Sequence, residues 1–423
     1  FGNVTQIASL LDIVRSRKNK DNPRIDINSP LFTGFPKHSA QKHIKKLLDN
    51  NYYVVQIDQQ KDNPTQRSVS KVLSKGTYID DLSNNTSTTI ACIYYGDCGG
   101  VGVSFLDLSI GVCKSFEIEN NACEITRIIE AECPCETLTF SSDGSIGEKA
   151  NRFHTQPHHQ ESILQYYYPS RGFLSAIEFI DMDMKHNART SLVCLLQYAK
   201  EQNADITQKL NKPIVQQDTN FLKLEDTALY QLGIVSQFQK TTLFHTINKT
   251  CTQQGMRLLK KNLLSPLVSL DELNERYDMV DQFQKCHIVN ELKSLVDIEK
   301  YVHRWRLGKM SPHEFVILVY CFPTLQAIIQ NVHAHTSLRF EELDLFIDFD
   351  KTIQTTFFYE MLEKYYSLHN IEGNVFRKGI KPELDALQEK LDEIITSVQS
   401  MVDVLMKNDK IEKKQAAIRF KKT

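Results

Sequence analysis

The spacing of apolar and polar residues divides the chain into four stretches. In the first, SLLDIVRSRKNK leads to a turn at SPLFTGFPKH. Ile44, Leu47 and Leu48 then share one face of a helix predicted from Ser39, its N-cap, to Asn50, and the strand YYVVQID follows. From about Thr88 three apolar runs, TTIACIYYG, GVGVSFLDLS and GVCKSFEI, are separated by glycine turns. They predict an antiparallel meander, with a helix near Glu124 to Ala131 against it. Residues 141–172 are rich in Ser, His and Gln, are apolar only at ILQYYY, and read as a connection between domains. Everything after about Phe173 has helical spacing. SLDE at Ser269–Glu272 is a capping box followed by Leu270, Leu273, Tyr277 and Val280, and SPHE at Ser311–Glu314 repeats it with Pro312 at the first helical position. Leu384, Leu387, Leu391, Ile394, Val398, Met401 and Leu405 alternate steps of three and four, predicting a rod of roughly 30–35 Å with one apolar seam.

One helix in the last stretch raises a separate question. In INKTCTQQGMRLLKKNLLSPL, residues 247–267, Thr250 or Thr252 caps a helix, Met256, Leu259 and Leu263 form its buried stripe, and Pro266 ends it. Arg257, Lys260 and Lys261 cannot share that stripe and must point elsewhere.

Composition narrows the class. The 423 residues suggest two to four domains, and 41% hydrophobic with 24% charged residues reads as a soluble, intracellular, globular chain. No uninterrupted apolar run approaches the roughly 20 residues a bilayer span needs, so no membrane partner is expected. The chain begins at Phe1 without a charged-then-apolar leader, and we read it as a fragment. The net charge of -2 conceals an uneven distribution: residues 1–75 hold thirteen Lys/Arg against six Asp/Glu, whereas residues 76–172 hold five against thirteen. A basic module beside an acidic one suggests that a polyanion meets the first and avoids the second.

Ten cysteines have no CxxC pair among them, and His154, His158 and His159 come later in a polar stretch. That spacing favours buried reduced thiols over zinc. Cys286–His287 places adjacent side chains on different sides of a helix, which argues against a nucleophile pair. Asp107, with Asp97 in a turn, falls short of a two-metal nuclease site.

The run Thr227 to Phe283 resembles the start of the core domain of the MutS family of DNA mismatch-repair proteins. Thr252, Gly255, Arg257, Leu258, Leu259, Lys260, Leu263, Pro266 and Leu267 match its "T-P-x-G-x-R-L-L-R-x-W-L-x-x-P-L" run, with Gln253 for the usual Pro and Asn262 for the usual Trp. DIEKYVHRWRLGKMSPHEF, Asp297 to Phe315, resembles the family's "D-L-E-R" helix, and GIKPELDAL, Gly379 to Leu387, resembles the opening of its lever helix. SLLDI, TGFPKH, VVQIDQ and QRSVSKVLSKGT are similar to the second part of the mismatch-binding domain, and SFLDLSIG to the connector domain. QRSVSKV is nearest to the branch found in giant viruses and octocoral mitochondria.

The resemblance implies a multidomain α+β chain. Residues 1–84 would be a mixed α/β mismatch-binding domain lacking its N-terminus, 85–172 an RNase-H-like α/β connector, 173–382 an all-α core, and 383–423 an incomplete lever helix leading to the clamp. It implies DNA mismatch recognition within a larger ATP-dependent clamp, partnered by mispaired double-stranded DNA and a second MutS-type subunit. Phe32, Thr33 and Gly34 match the loop beside the mismatch, Gln59 a nearby polar position, and Arg15, Arg17 and Lys18 a turn that contacts the DNA backbone. Two family features are missing: the Phe-x-Glu that stacks on a mispaired base does not occur in the opening Phe1–Leu10, where the resemblance would look for it, and no G-x-x-x-x-G-K-[ST] phosphate loop occurs in these residues. ATP and Mg²⁺ therefore belong to a C-terminal domain outside this stretch, and no cofactor or catalysis is expected within it. The alternatives are a helical interaction scaffold that does not bind DNA, or an RNase-H-like nuclease centred on the second domain.

Overall fold

The structure is a computed structural model that describes residues 4–17, 30–36, 39–59, 66–78, 88–97, 99–132, 134–169, 172–202, 210–215, 221–222, 231–234, 242–366, 368 and 371–409. It divides into two compact units: Phe1–Gln284 with Asp297–Lys309, and Lys285–Val296 with Met310–Thr423.

The first unit begins with α1 (Val4–Leu11), a helix that ends within SLLDI (Ser9–Ile13) and that the pattern reading did not assign. The strands β1 (Arg15–Arg17) and β2 (Leu31–Thr33) pair as a short antiparallel ribbon. Helix α2 (Ala40–Asp49) and a second ribbon, β3 (Val54–Gln59) with β4 (Arg67–Leu73), complete this module. Ser39 precedes α2 as expected, but its hydroxyl donates to the Pro36 carbonyl (2.9 Å) and caps nothing.

The predicted meander is present as β5 (Thr89–Tyr95), β6 (Gly100–Asp107) and β7 (Val112–Glu119), followed by α3 (Ala122–Glu132). Two parallel additions, β8 (Glu136–Ser141) and β9 (Glu148–Lys149), lie beyond β5, and β10 (Ile214–Val215) pairs in parallel with β7, giving the order β10-β7-β6-β5-β8-β9. The unbroken apolar runs of β5 and β6 have a physical cause: helices cover both faces of the sheet. Ile90, Cys92 and Leu106 point into one core with Leu164, Leu192 and Leu195, and Ala91, Val103 and Phe105 point into another with Ile125 and Ile128 of α3.

The first of these cores corrects two expectations. The polar stretch 141–172 is not a bare connection. It carries α4 (Arg152–Thr155) and α5 (Pro157–Tyr167), and Leu164, Tyr167 and Tyr168 are buried against the sheet. Nor is everything after Phe173 independently helical. After α6 (Ala176–Phe179), the long helix α7 (His186–Gln202) packs on β5 and β6 with Leu192, Leu195 and Leu196 fully buried, and β10 extends the sheet. Glu117 on β7 accepts the Asn187 and Ala188 amides (3.1 and 3.0 Å), capping the start of α7. Gly102 permits the approach, because a Cβ there would lie 2.0 Å from the Asn187 carbonyl oxygen.

Helices α8 (Leu243–Ile247), α9 (Gln253–Leu264), α10 (Leu270–Phe283) and α12 (Ile298–Arg306) complete the first unit. Thr252 caps α9, accepting from the Gly255 amide (3.1 Å), but the stripe differs from its prediction. Leu264 is the buried residue, Met256, Leu259 and Leu263 are half-buried, and Leu258 is exposed. The apolar packing of α9 is concentrated at its C-terminal end, where Leu263 and Leu264 meet Ala131 of α3 and Ile234.

The second unit holds α11 (Val289–Ser294), α13 (Pro312–Tyr320), α14 (Phe322–His335), α15 (Leu343–Thr356), α16 (Tyr359–Leu362) and α17 (Pro382–Asp409). The Ser311–Glu314 capping box forms in both directions. Pro312–His335 passes, by length and composition only, for a helix able to cross a membrane, although polar residues interrupt its apolar run. It is divided into α13 and α14 at Cys321, and Val316, Leu318 and Val319 are buried at 1–2% exposure. Cys286 and His287 lie in the turn before α11, not on a helix, with His287 at φ 48. The predicted seam does run along α17, yet Leu387, Leu391, Ile394 and Met401 are exposed within the chain; the Leu405 side chain lies outside the described residues.

Candidate nucleic-acid interface

The basic first module presents its sequence-predicted residues on two separate ribbons. In the β1–β2 ladder Arg15 is opposite Thr33, Ser16 opposite Phe32, and Arg17 opposite Leu31. Directly opposed residues share a face and successive ones alternate, so Arg15, Arg17 and Thr33 fall on one face and Phe32 with Ser16 on the other. The two arginines sit about 6.8 Å apart along the strand. Arg15 is exposed, Arg17 half-buried, and Phe32 48% exposed, a large aromatic surface left in solvent.

Local bonds fix the ribbon. The Thr33 hydroxyl donates to the Val14 carbonyl (3.0 Å), tying the ladder end and occupying that hydroxyl proton. Gly34 is exposed with nothing near the position of a Cβ. Phe35 stacks on His43 of α2 with ring centroids 4.5 Å apart, which anchors the segment after the loop. Gln59 belongs to the other ribbon, exposed at the end of β3 opposite Arg67. The structure therefore joins Arg15, Arg17, Phe32, Thr33 and Gly34 in one ribbon and puts Gln59 elsewhere; Lys18 lies outside the described residues.

The β3–β4 ribbon has a second feature the sequence reading missed. Tyr53 just before its first strand and Val55 and Ile57 within it, with Val69 opposite Ile57, are 51–64% exposed, an apolar surface in a basic module. A period-two count of YYVVQID marks the surface but not its lack of cover.

Also missed was the joint between this module and the sheet. One Glu136 oxygen on β8 accepts from the hydroxyls of Tyr53 (3.1 Å) and Tyr198, and the other from Ser74 (2.7 Å) and the Gly76 amide (3.4 Å). The negative charge pushes the Tyr53 hydroxyl up from its ordinary pKa, and burial followed by the bond to Glu136 does so for Tyr198. No local motif announces a contact between residues this far apart in sequence.

The other chemistry weighed from sequence resolves into packing. Cys92, Cys113 and Cys194 are buried free thiols, and burial pushes Cys113 and Cys194 up to about 12. Among the described residues no group of three or more His, Cys, Asp or Glu could hold a metal. Asp107 accepts from the Ser109 amide and hydroxyl (2.9 and 2.6 Å) and from Thr88 (3.1 Å), a turn-stabilising arrangement.

The family profile of MutS domain I matches residues 3–82 and that of MutS domain III matches residues 227–417. A putative DNA mismatch repair protein of the MutS type from Acanthamoeba polyphaga mimivirus is 24% identical over 95% of this chain and 42% of its own length. The DNA mismatch repair protein MutS of Clostridioides difficile is 24% identical over 84% of this chain and 39% of its length, and that of Methanosarcina acetivorans is 27% identical over 90% and 47%. The chain thus spans less than half the length of these relatives.

Proposed function

The chain is a MutS-family DNA mismatch-repair homologue with regions matching domains I and III, and from that premise we infer that it is the DNA-reading and signal-carrying part of a larger mismatch-recognition clamp. The observation that carries the reading is the β1–β2 ribbon, lying within the domain I match, with guanidinium groups on one face and exposed Phe32 on the other. A ribbon meeting a duplex edge-on offers cations to the phosphates and an aromatic surface toward the groove. Phosphate contacts supply affinity without sequence information, while an apolar wedge exploits the cheaper bending of a mispaired step. Arg15, Arg17 and Lys18 would hold the backbone, Phe32, Thr33 and Gly34 would line the approach to the mispair, and Gln59 would make a more distant polar contact.

The remaining assignments follow the same reading. The sheet order, with β5 antiparallel to β6 and parallel to β8, supports an RNase-H-like connector, and since α7 packs on this sheet and β10 pairs with β7, the connector would run on to Val215, beyond the border expected at residue 172. The helices from α8 onward would be the core and α17 the lever. The parent protein would bind ATP and Mg²⁺ in a separate domain and act as a dimer with a second MutS-type subunit on duplex DNA. Membership in the giant-virus branch belongs to the same reading and rests on the QRSVSKV resemblance. A helical scaffold without DNA binding is the alternative, and it leaves the exposed arginine ribbon without a role.

Neutralising Arg15, Arg17 and Lys18 together tests the reading. Duplex binding should weaken similarly for all sequences, and the salt-dependence slope should fall by roughly two to three units. An unchanged slope removes these residues from the contact surface, and no duplex binding at low salt by the unaltered chain favours the scaffold.

A further inference from the structure

Helix α9, whose basic residues could not share its buried stripe, forms one wall of a cavity of about 330 Å³ within the first unit. The opposite wall comes from β6, the β6–β7 turn, β7 and α3. That volume is at the small end of the range for small-molecule sites, roughly 300–1,000 Å³. Its apolar lining includes Phe105, Ile110, Val112, Leu258 and Leu264.

The charges in the lining are uneven once each carboxylate is matched to its donor. Glu132 is held by Lys114, whose ammonium is 2.5 Å from both carboxylate oxygens. Glu299 is held by Arg257 at 2.5 Å, and the same guanidinium grips Asp297 in a bidentate pair at 2.7 and 2.9 Å. Those two carboxylates raise the Arg257 pKa above its ordinary value despite burial. The third carboxylate, Asp107, takes the Ser109 and Thr88 donors described above. Lys260 and Lys261 also line the cavity, and no carboxylate among the described residues neutralises either one. Arg257 is thus committed to Asp297 and Glu299 and Lys114 to Glu132, whereas Lys260 and Lys261 are the lining cations that no carboxylate among the described residues holds, beside an apolar floor; Asp107 is the lining carboxylate that no cation holds.

We propose that this cavity binds a small phosphate monoester, its apolar body seated on Val112, Leu258 and Leu264 and its phosphate between Lys260 and Lys261. The chemistry selects the head group: a phosphate monoester carries about -1.5 to -2 charge at pH 7, matching two ammonium groups, whereas a carboxylate supplies half of that. The apolar lining selects for an organic body over the bare ion. A ligand there touches both the sheet module, through β7 and α3, and α9. It therefore stabilises their contact by mass action on the folded arrangement.

Phenyl phosphate is the probe, titrated calorimetrically into the full chain. Saturable binding is expected, at least tenfold tighter than inorganic phosphate, which lacks the body, and than benzyl alcohol, which lacks the charge. Lys260→Ala with Lys261→Ala should weaken binding at least tenfold. Leu258→Glu, at a 58% exposed side chain, should do the same while disturbing the fold least. Heat that fails to saturate, equal affinity for inorganic phosphate, or undiminished binding by both variants would overturn the proposal. Displacement of phenyl phosphate by duplex DNA would also overturn it and reassign the lysines to a polyanion contact. Salt-dependent DNA binding through Arg15 and Arg17 is read separately, so failure here leaves the mismatch-clamp reading standing.

Discussion

The central sheet and the two N-terminal ribbons are built from similar β-forming residues, yet they manage apolar surface in opposite ways. β5 and β6 bury both faces, with Ile90, Ala91, Cys92, Val101 and Leu106 at 0% exposure. The ribbons leave Tyr53, Val55, Ile57, Val69 and Phe32 in solvent. A sheet sandwiched by its own helices has satisfied its hydrophobic driving force, whereas an apolar ribbon face keeps that free energy available for something that docks. Strand content alone says nothing about which of these a segment is; the surroundings decide.

The strongest way to break the comparison is to truncate one residue on each side. Leu192→Ala, in the core between α7 and the sheet, should lower stability to urea by about 2–5 kcal/mol, while Val55→Ala should stay within about 0.5 kcal/mol. A cost above about 2 kcal/mol for Val55 would mean that the ribbon is packed in solution, ending the contrast.

Acid should find the sheet module through His303. The ring is 2% exposed, and burial, with Arg306 nearby, outweighs the Asp107 charge and pushes its pKa down to about 4. A base whose folded pKa lies below the unfolded value of 6.5 binds its proton more readily when unfolded. Its contribution is therefore intact above about pH 6.5 and is lost as pH falls toward about 4, by roughly 3 kcal/mol in total. Urea midpoints measured across that window should fall steeply for the unaltered chain and flatten for His303→Leu.

The turn against that ring sharpens the contrast further. Gly111 has φ +69, and a Cβ there would lie 2.3 Å from the His303 Cε1. Gly111→Ala should cost about 1–3 kcal/mol in thermal or urea unfolding. Gly34, in the open ribbon loop, should accept Ala with almost no change.

Glu136 is where the two regions meet, and Glu136→Gln removes its charge while keeping its shape. A loss of about 1–2 kcal/mol is expected, together with a downward shift of the Tyr53 titration, whose rise comes first from the Glu136 charge, in ultraviolet absorbance; Tyr198, raised first by burial, should move less. Unmoved tyrosine titrations would show that the joint is not formed. The smallest effect concerns DNA itself. Without a Phe-x-Glu wedge in the opening Phe1–Leu10, matched and G·T-mispaired duplexes should compete within about threefold, a difference of about 0.7 kcal/mol. A tenfold preference would make Phe32 the wedge.

Local signals carried much of this fold in the sequence. The three glycine-punctuated runs became β5, β6 and β7, and Thr252 and Ser311 cap the helices expected of them, because turns and caps are decided by a few neighbouring residues. The heptad steps after Leu384 did become one helix, though not a buried one. What periodicity could not supply was non-local. Tyr167 and Tyr168 sit in a polar stretch but complete the core under α7, and Arg257 turns from the surface to Asp297, forty residues away. The candidate DNA site was legible as charge and as resemblance. That the arginines and Phe32 occupy opposite ribbon faces follows from the pairing register, which no single strand encodes.

Helix α17 behaves as a cantilever. Asp385 accepts from the Asn374 side chain (2.8 Å) and the Gly379 amide (2.7 Å), Gln388 accepts from the Asn374 amide (3.1 Å), and Lys378 pairs with Glu389 (2.8 Å). All these fastenings grip the first two turns, and the beam beyond them runs about 30 Å to Asp409. A rotation of about 5° at the clamped end sweeps the far end through roughly 3 Å, so ångström-scale displacement at the tip corresponds to sub-ångström slack at Asn374. Stiffness at the mount, more than along the shaft, sets how faithfully motion at one end is reproduced at the other.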